Sequence, residues 1–224
     1  MDRRKLALNA IIKYVAGLVM VAVLLFVPAG TIKYPNGWLF ISLLFVPMFF
    51  LGVILLVKSP QLLEKRLQSK EKRSAQSTVV KIAALIFILS FIMAGIDYRF
   101  CLTAVPKAVV ASSSVVLLVS YGMYAEVMRE NAYLSRTIEV QENQKVIDTG
   151  LYGVVRHPMY MATVLLFLSI PLVLGSWISF ALMLVYPAAI AARIKDEELL
   201  LEKELHGYKE YKNKVKYRLI PFVW

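Results

Sequence analysis

Long uncharged hydrophobic runs alternate with short charged segments along this chain of 224 residues. A helix that crosses the roughly 30 Å hydrocarbon core of a bilayer needs about 20 predominantly apolar residues. Four runs reach about this length, or reach it when flanking residues are added. Each of them predicts one membrane-spanning helix: residues 10–27, 38–57, 82–96 and 108–125.

A fifth region, residues 159–192, contains about 34 residues without a charged side chain. One span of that length would be far too long for a bilayer. Pro171 and the pair Gly175-Ser176 interrupt the region near its middle, and both are typical of helix ends and turns. The pattern therefore predicts a helical hairpin with arms 159–174 and 177–192. The fold class that follows is an all-α polytopic membrane protein with about six transmembrane helices.

Composition agrees with this interpretation, since 59% of the residues are hydrophobic against about 45–50% in soluble domains. The chain has one cysteine, which excludes an intramolecular disulfide and a cysteine-rich metal site. The net charge of +11 would favour nucleic-acid binding in a soluble protein. Here the basic residues flank apolar runs, so we expect membrane lipids rather than nucleic acid as partners.

The distribution of basic residues predicts the orientation. With six spans, 22 of the 26 Lys and Arg residues lie on the side of the two termini, and three lie on the opposite side: Lys33, Arg99 and Lys107. Cytoplasmic loops carry the excess of Lys and Arg, so we expect both termini in the cytoplasm. The first apolar run lacks a signal-peptide cleavage site and is interpreted as a retained span. The charged segment 62–77 is expected to be an interfacial or mobile connector.

The first polar motif is segment 150–160, GLYGVVRHPMY. Its two glycines permit a tight turn, and Pro158 suits the first position of a helix. Arg156 and His157 then lie beside the helix start at the membrane surface, and Tyr160 lies in the first turn. These residues are compatible with a simple interfacial helix start, in which the arginine snorkels, or with a binding site.

The second motif is the helix predicted to follow the last span, residues 193–205. Arg193 precedes Glu197 by four residues, so the two side chains can meet on the helix surface. Glu197 and Glu198 lie on or beside an apolar helix face, and charges there need partners if the face is buried. An exposed ion pair is the alternative. The apolar positions of that face are Ile194, Leu201, Leu205 and Tyr208.

Together with the tail elements Tyr208-x-x-Tyr211 and Leu219-Ile220-Pro221, the two motifs resemble a known superfamily. It comprises the isoprenylcysteine carboxyl methyltransferases and phospholipid methyltransferases of membranes, and the resemblance covers roughly residues 137–222. It implies transfer of a methyl group from S-adenosylmethionine to a lipophilic acceptor, such as an isoprenylcysteine-type carboxylate, at the cytoplasmic face. S-adenosylhomocysteine is then the product. The chain is divided accordingly into four transmembrane helices (1–126) and a cofactor-binding and catalytic region (127–224) of one domain.

The resemblance also implies roles for individual residues. Arg193 is expected to contact the substrate and, with Glu197, to take part in catalysis. Gln144 stands where family members usually have histidine, and its amide can still form hydrogen bonds. The cofactor-binding residues carried over are Gln144, Lys145, Val146, Ile147, Tyr152, His157, Pro158, Met159, Tyr160 and Glu197.

Several alternatives stay open at this stage. The acceptor can be a carboxylate held by Arg193, or an amine whose proton leaves to Glu197 or Glu198, or a thiol. A membrane reductase of the steroid or sterol type carries similar motifs and binds NADPH instead. A transporter or membrane scaffold is disfavoured because the spans hold few ionisable residues. Metal catalysis is not expected, since His157 and His206 show no ligand spacing.

Overall fold

The computed structural model describes residues 3–67, 74–134 and 140–224, with the backbone alone for 74–79. The middle of the predicted connector, residues 68–73, and the first residues of the family resemblance lie outside these ranges. The described residues form nine α-helices and a short 3-10 turn. Their bounds are α1 Arg3–Ala29, α2 Pro35–Lys58, α3 Pro60–Leu67, α4 Ser74–Phe100, α5 Lys107–Glu130, the 3-10 turn Gly150–Gly153, α6 Pro158–Leu174, α7 Trp177–Met183, α8 Tyr186–Glu204 and α9 Tyr208–Lys214.

Within the described ranges, five helical stretches are long and apolar enough to cross a membrane, and α6 is a shorter apolar helix of 17 residues. The five are Arg3–Ala29, Pro35–Lys58, Val80–Phe100, Lys107–Glu130 and Trp177–Glu204. Large apolar side chains stay exposed on these helices, for example Val19, Phe50, Leu85 and Val119. Such a surface suits lipid and not water. The prediction of an all-α, multi-pass integral membrane protein is confirmed.

The hairpin turn lies where the sequence predicts it. Helix α6 ends at Leu174, and Gly175 adopts a left-handed conformation with φ 83°, which glycine reaches without steric cost. Ser176 caps α7 by accepting a hydrogen bond from the Ser179 N–H at 3.1 Å. Helix α6 begins at Pro158, also as predicted. Both ends of this arm therefore follow from local sequence signals.

The second arm differs from the prediction of a single span, 177–192, followed by a separate helix, 193–205. Helix α7 ends at Met183, and α8 begins at Tyr186 and continues without a break to Glu204. Pro187 lies in the first turn of α8, where a residue without an N–H costs no helical hydrogen bond. The second part of the apolar arm and the charged motif thus belong to one helix, α8. Leu205 directly follows this helix, and Tyr208 follows the turn at Gly207. Both side chains are buried.

Polar contacts join the helices at the end of the bundle where α4 finishes and α6 turns into α7. Asp97 near the end of α4 is 1% exposed. It accepts hydrogen bonds from the Thr103 N–H at 2.7 Å, the Thr103 hydroxyl and the Ser176 hydroxyl. About two turns away from Asp97 along α4, the Ser179 hydroxyl donates to the Ser90 carbonyl oxygen at 2.8 Å. These bonds hold the hairpin against α4.

Candidate active site

A cavity of about 440 Å³ lies where the starts of α6 and α9, the middle of α8 and the 3-10 turn come together. The segment 144–147 closes one side of it, and the first half of α4 closes another. All of the sequence-predicted site residues line this one cavity: Gln144, Lys145, Val146, Ile147, Tyr152, His157, Pro158, Met159, Tyr160, Arg193 and Glu197. The hairpin therefore brings together two motifs that are separate in sequence.

The hydroxyl of Tyr160 connects the two charged residues of the second motif. It donates a hydrogen bond to Glu197 Oε2 at 2.6 Å and accepts one from Arg193 Nε at 2.8 Å. Arg193 is 8% exposed, so these groups interact away from bulk water. Low local polarity strengthens such bonds. The structure thus places Tyr160 between Arg193 and Glu197 as a bridge.

Behind the cavity wall, Glu198 is the centre of a buried ionic network. Its Oε1 accepts from Arg156 Nε at 2.7 Å and lies 3.3 Å from His157 Nε2, and its Oε2 accepts from Arg218 Nε at 2.8 Å. The side chains of Arg156 and Glu198 are 4% and 3% exposed. The simple interfacial interpretation of Arg156 is therefore wrong, because this side chain is buried and paired.

The tail after α9 holds the same arginine through its backbone. Arg156 Nη1 donates to the carbonyl oxygens of Val215 and Lys216 at 2.7 and 2.8 Å. The N–H groups of Arg156 and His157 donate to the carbonyl oxygens of Tyr217 and Arg218, both at 2.9 Å. A guanidinium offers five N–H donors, so Arg156 can bond to Glu198 and to the tail at the same time, which fixes the motif before α6.

Tyr152 of the 3-10 turn is held from two sides. Its hydroxyl accepts a hydrogen bond from Asn131 Nδ2 at 2.8 Å, and its carbonyl oxygen accepts one from the Tyr211 hydroxyl at 2.7 Å. Burial raises the pKa of the Tyr152 hydroxyl well above its ordinary value, although the bond from Asn131 acts in the opposite direction. Tyr152 therefore stays a neutral phenol.

One part of the cavity wall is almost entirely apolar. It is formed by the first half of α4 together with facing residues of α6 and α8. The contributing side chains are Val80, Ala83, Ala84, Phe87, Phe167, Ala189 and Ile190. The cavity thus has a polar end, near Tyr160 and Glu197, and an apolar end between helices that carry lipid-facing surfaces.

Sequence reasoning missed several lining residues. Arg66 of α3 and Asn131 at the end of α5 come from segments that showed no motif. Tyr208 and Tyr211 belong to the tail element of the family resemblance, but no ligand contact was assigned to them. The pair Leu62-Leu63 within a charged segment was a weak sequence signal that α3 packs against the protein, and both side chains are buried. The side of the cavity formed by Arg66 depends on tertiary packing alone.

Comparison with known proteins shows two kinds of similarity. Residues 108–207, from the start of α5 to the turn after α8, match the family model described as phospholipid methyltransferase. A 91-residue part of the chain is 31% identical to a delta(14)-sterol reductase of Mus musculus. The matched part covers 39% of this chain but only 22% of that reductase. The similarity to membrane methyltransferases expected from the two motifs is confirmed for the matched residues.

Proposed function

We propose that this chain, whose residues 108–207 match the model of the phospholipid methyltransferase family, transfers a methyl group from S-adenosylmethionine to a lipophilic acceptor. The family match supports a membrane methyltransferase, and the cofactor and the acceptor class are the parts that we propose. The reaction would take place at the cytoplasmic face, because the cavity lies at the end of the helices where the basic residues are concentrated.

The observation that carries this proposal is the bridge from Arg193 through Tyr160 to Glu197 in the wall of the cavity. It unites a residue of the Arg-His-Pro-x-Tyr motif with both charged residues of the α8 motif. A cation, a neutral hydroxyl group and a carboxylate then line one cavity. Pockets with few, convergent polar groups in a largely apolar wall are typical of small-molecule sites.

The lining residues suit S-adenosylmethionine. A volume of about 440 Å³ lies within the range of about 300–1,000 Å³ found for small-molecule pockets. Glu197 and the aromatic residues Tyr152 and Tyr160 supply a negative charge and π-faces that attract a cation such as a sulfonium. The hydroxyl of Tyr208 is buried in this wall without a hydrogen-bond partner among the described residues, and a ligand would satisfy it.

When bound, S-adenosylmethionine supplies an electrophilic methyl group. The protein's contribution is to orient cofactor and acceptor and to exclude water. Residues 144–147, Tyr152 and the segment 157–160 would hold the cofactor. Tyr160 holds the Glu197 carboxylate and the Arg193 guanidinium in fixed positions, which limits the reorganisation needed when the acceptor binds.

The role of the charged pair depends on the acceptor. A carboxylate needs no base, and Arg193 would hold it by charge-assisted hydrogen bonds. An amine must lose a proton, and Glu197 is then the candidate base, since it lines the cavity whereas Glu198 is paired behind the wall. The apolar end, lined by α4 and α8, suits the hydrocarbon part of either acceptor, whether a prenylated compound or a lipid.

The test is methyl transfer by purified protein with radiolabelled S-adenosylmethionine and extracted membrane lipids or prenylcysteine compounds. We expect Glu197→Gln and Arg193→Ala to abolish or strongly reduce the transfer. Glu202→Gln on the same helix serves as the control and should retain it. Full activity and unchanged cofactor affinity in both site variants would refute the assignment of these residues.

The matched part of the sterol reductase supports a second candidate, an NADPH-dependent reduction. Either cofactor would have to bind in this cavity, so a direct comparison of ligands separates the two candidates. Thermal unfolding is measured with S-adenosylhomocysteine and with NADPH. The methyltransferase proposal requires stabilisation by S-adenosylhomocysteine, whereas stabilisation by NADPH alone would favour the reductase.

A further inference from the structure

Tyr208, the first residue of α9, carries a hydroxyl in an unusual situation. The residue is 4% exposed, lines the cavity, and its hydroxyl finds no hydrogen-bond partner within the described residues. Buried polar atoms in folded proteins are nearly always paired, and each exception needs an explanation. The neighbouring Tyr211 is equally buried, yet its hydroxyl bonds to the Tyr152 carbonyl oxygen. The unpaired state is therefore particular to Tyr208.

The surroundings of this hydroxyl indicate what kind of group it meets. Val146, Leu201 and Leu205 line the cavity beside it and pack in the same apolar cluster. Burial raises the pKa of the Tyr208 hydroxyl, and the carboxylates of Glu198 and Glu197 raise it further. The hydroxyl is thus a neutral donor in a place where negative charge is disfavoured. A neutral acceptor in a flat, largely apolar group suits it better than a carboxylate or a phosphate.

We propose that the Tyr208 hydroxyl donates a hydrogen bond to a ring nitrogen of the adenine base of the cofactor, and that it thereby contributes to selecting adenine. This inference rests on the proposed function, because it assigns the adenine end of the same site. The polar end, with Arg193, Tyr160 and Glu197, is then left for the reacting groups. Tyr208 becomes a binding residue in addition to those that the motifs predict.

The first test compares Tyr208→Phe with the wild-type protein by calorimetric titration of S-adenosylhomocysteine. Loss of one neutral hydrogen bond should weaken binding about three- to tenfold. The melting temperature of the ligand-free protein should stay the same or rise, since the variant removes an unsatisfied buried hydroxyl. If the hydroxyl only stabilised the fold, Tyr208→Phe would lower the melting temperature and leave the affinity for S-adenosylhomocysteine unchanged.

Tyr121→Phe is the matched control. The Tyr121 hydroxyl donates to the Leu44 carbonyl oxygen at 2.8 Å and does not line the cavity. Its removal should lower the melting temperature and leave the affinity for S-adenosylhomocysteine unchanged. Unchanged affinity in Tyr208→Phe as well would overturn the inference. It would indicate that the hydroxyl bonds to an ordered water molecule and not to the cofactor.

The second test uses S-adenosylhomocysteine analogues in which N1, N3 or N7 of adenine is replaced by carbon. One analogue should bind the wild type about three- to tenfold more weakly than the parent ligand, and this penalty should disappear in Tyr208→Phe. Equal penalties in both proteins for all three analogues would contradict the adenine contact. If the wild type does not bind S-adenosylhomocysteine at all, the proposed function fails first and the inference fails with it.

Discussion

Arg156, just before α6, and Glu198, on α8, form an ion pair of 2.7 Å in which both side chains are almost completely buried. They are 42 residues apart in the sequence, and the pair joins the segment before α6 to the helix that carries Glu197. Because His157 and Arg218 contact the same carboxylate, one residue holds three parts of the site wall together.

Replacing Glu198 by Gln should destabilise the protein strongly. The change leaves the buried Arg156 without its anion, and breaking a buried pair in this way costs about 3–5 kcal/mol. The measurement is the free energy of unfolding, or the melting temperature, in detergent micelles. Glu126→Gln, which removes an exposed pair with Arg129, is the control and should have no measurable effect. A wild-type melting temperature for Glu198→Gln would contradict the structural role.

Tyr160→Phe should reduce catalysis while the fold persists. The variant removes the hydroxyl that connects Arg193 and Glu197, and a hydrogen bond to a charged group contributes about 1.5–3 kcal/mol. We expect kcat/KM for methyl transfer to fall about ten- to hundredfold. Tyr121→Phe is again the control, because Tyr121 does not line the cavity. The kcat/KM of this variant should not change. Equal activities of the two variants would exclude a role of the bridge.

Asp97→Ala should weaken the fold without affecting ligand binding. Asp97 lies at the hairpin turn, about 15 Å along α4 from Phe87, the nearest residue of that helix in the cavity wall. Its loss leaves the Thr103 and Ser176 donors without their acceptor, at a cost of about 1–3 kcal/mol for each group that stays unpaired. Thermal unfolding and S-adenosylhomocysteine titration measure the two effects separately.

Ser112→Ala, which removes an exposed hydroxyl that bonds within α5, is the control for stability. A loss of ligand affinity in Asp97→Ala at a temperature where the variant is folded would show that the two ends of the bundle are coupled.

Ala83→Phe should interfere with the acceptor and not with the cofactor. Ala83 lies in the apolar wall formed by α4, and a phenyl ring there occupies space that the acceptor's hydrocarbon part needs. We expect the KM for long-chain acceptors to rise several-fold, with S-adenosylhomocysteine affinity unchanged. Ala111→Phe, on an exposed face of α5, provides the matched substitution. Unaltered kinetics of Ala83→Phe with long-chain acceptors would refute the placement of the acceptor against α4.

Much of the architecture was predictable because its signals are local. Hydrophobic runs of bilayer length identify spans, and Pro158 and Gly175 mark the two ends of α6 through their own backbone restrictions. The break between α7 and α8 was missed. It occurs inside an uncharged run, so no change in polarity marks it, and a proline such as Pro187 is compatible with a kink as well as with a helix start.

The two motifs predicted part of the cavity lining, but they did not predict how their residues pair. Glu197 and Glu198 are adjacent in sequence, and their side chains point in directions about 100° apart around the helix. Helical spacing alone does not tell which carboxylate faces a cavity. Packing of α8 against α6 and the tail decides this, turning Glu197 toward Tyr160 and Glu198 toward Arg156.

By itself the sequence therefore determined a multi-pass helical membrane protein and the residue types of one polar site, since both depend on composition and short-range order. The tertiary structure decided which of these residues meet. Contacts such as Arg156 with Glu198, and the placement of Tyr208 and Arg66 in the cavity wall, join segments distant in the chain. They exist only because the helices pack in one particular arrangement, and no local pattern of residues encodes that arrangement.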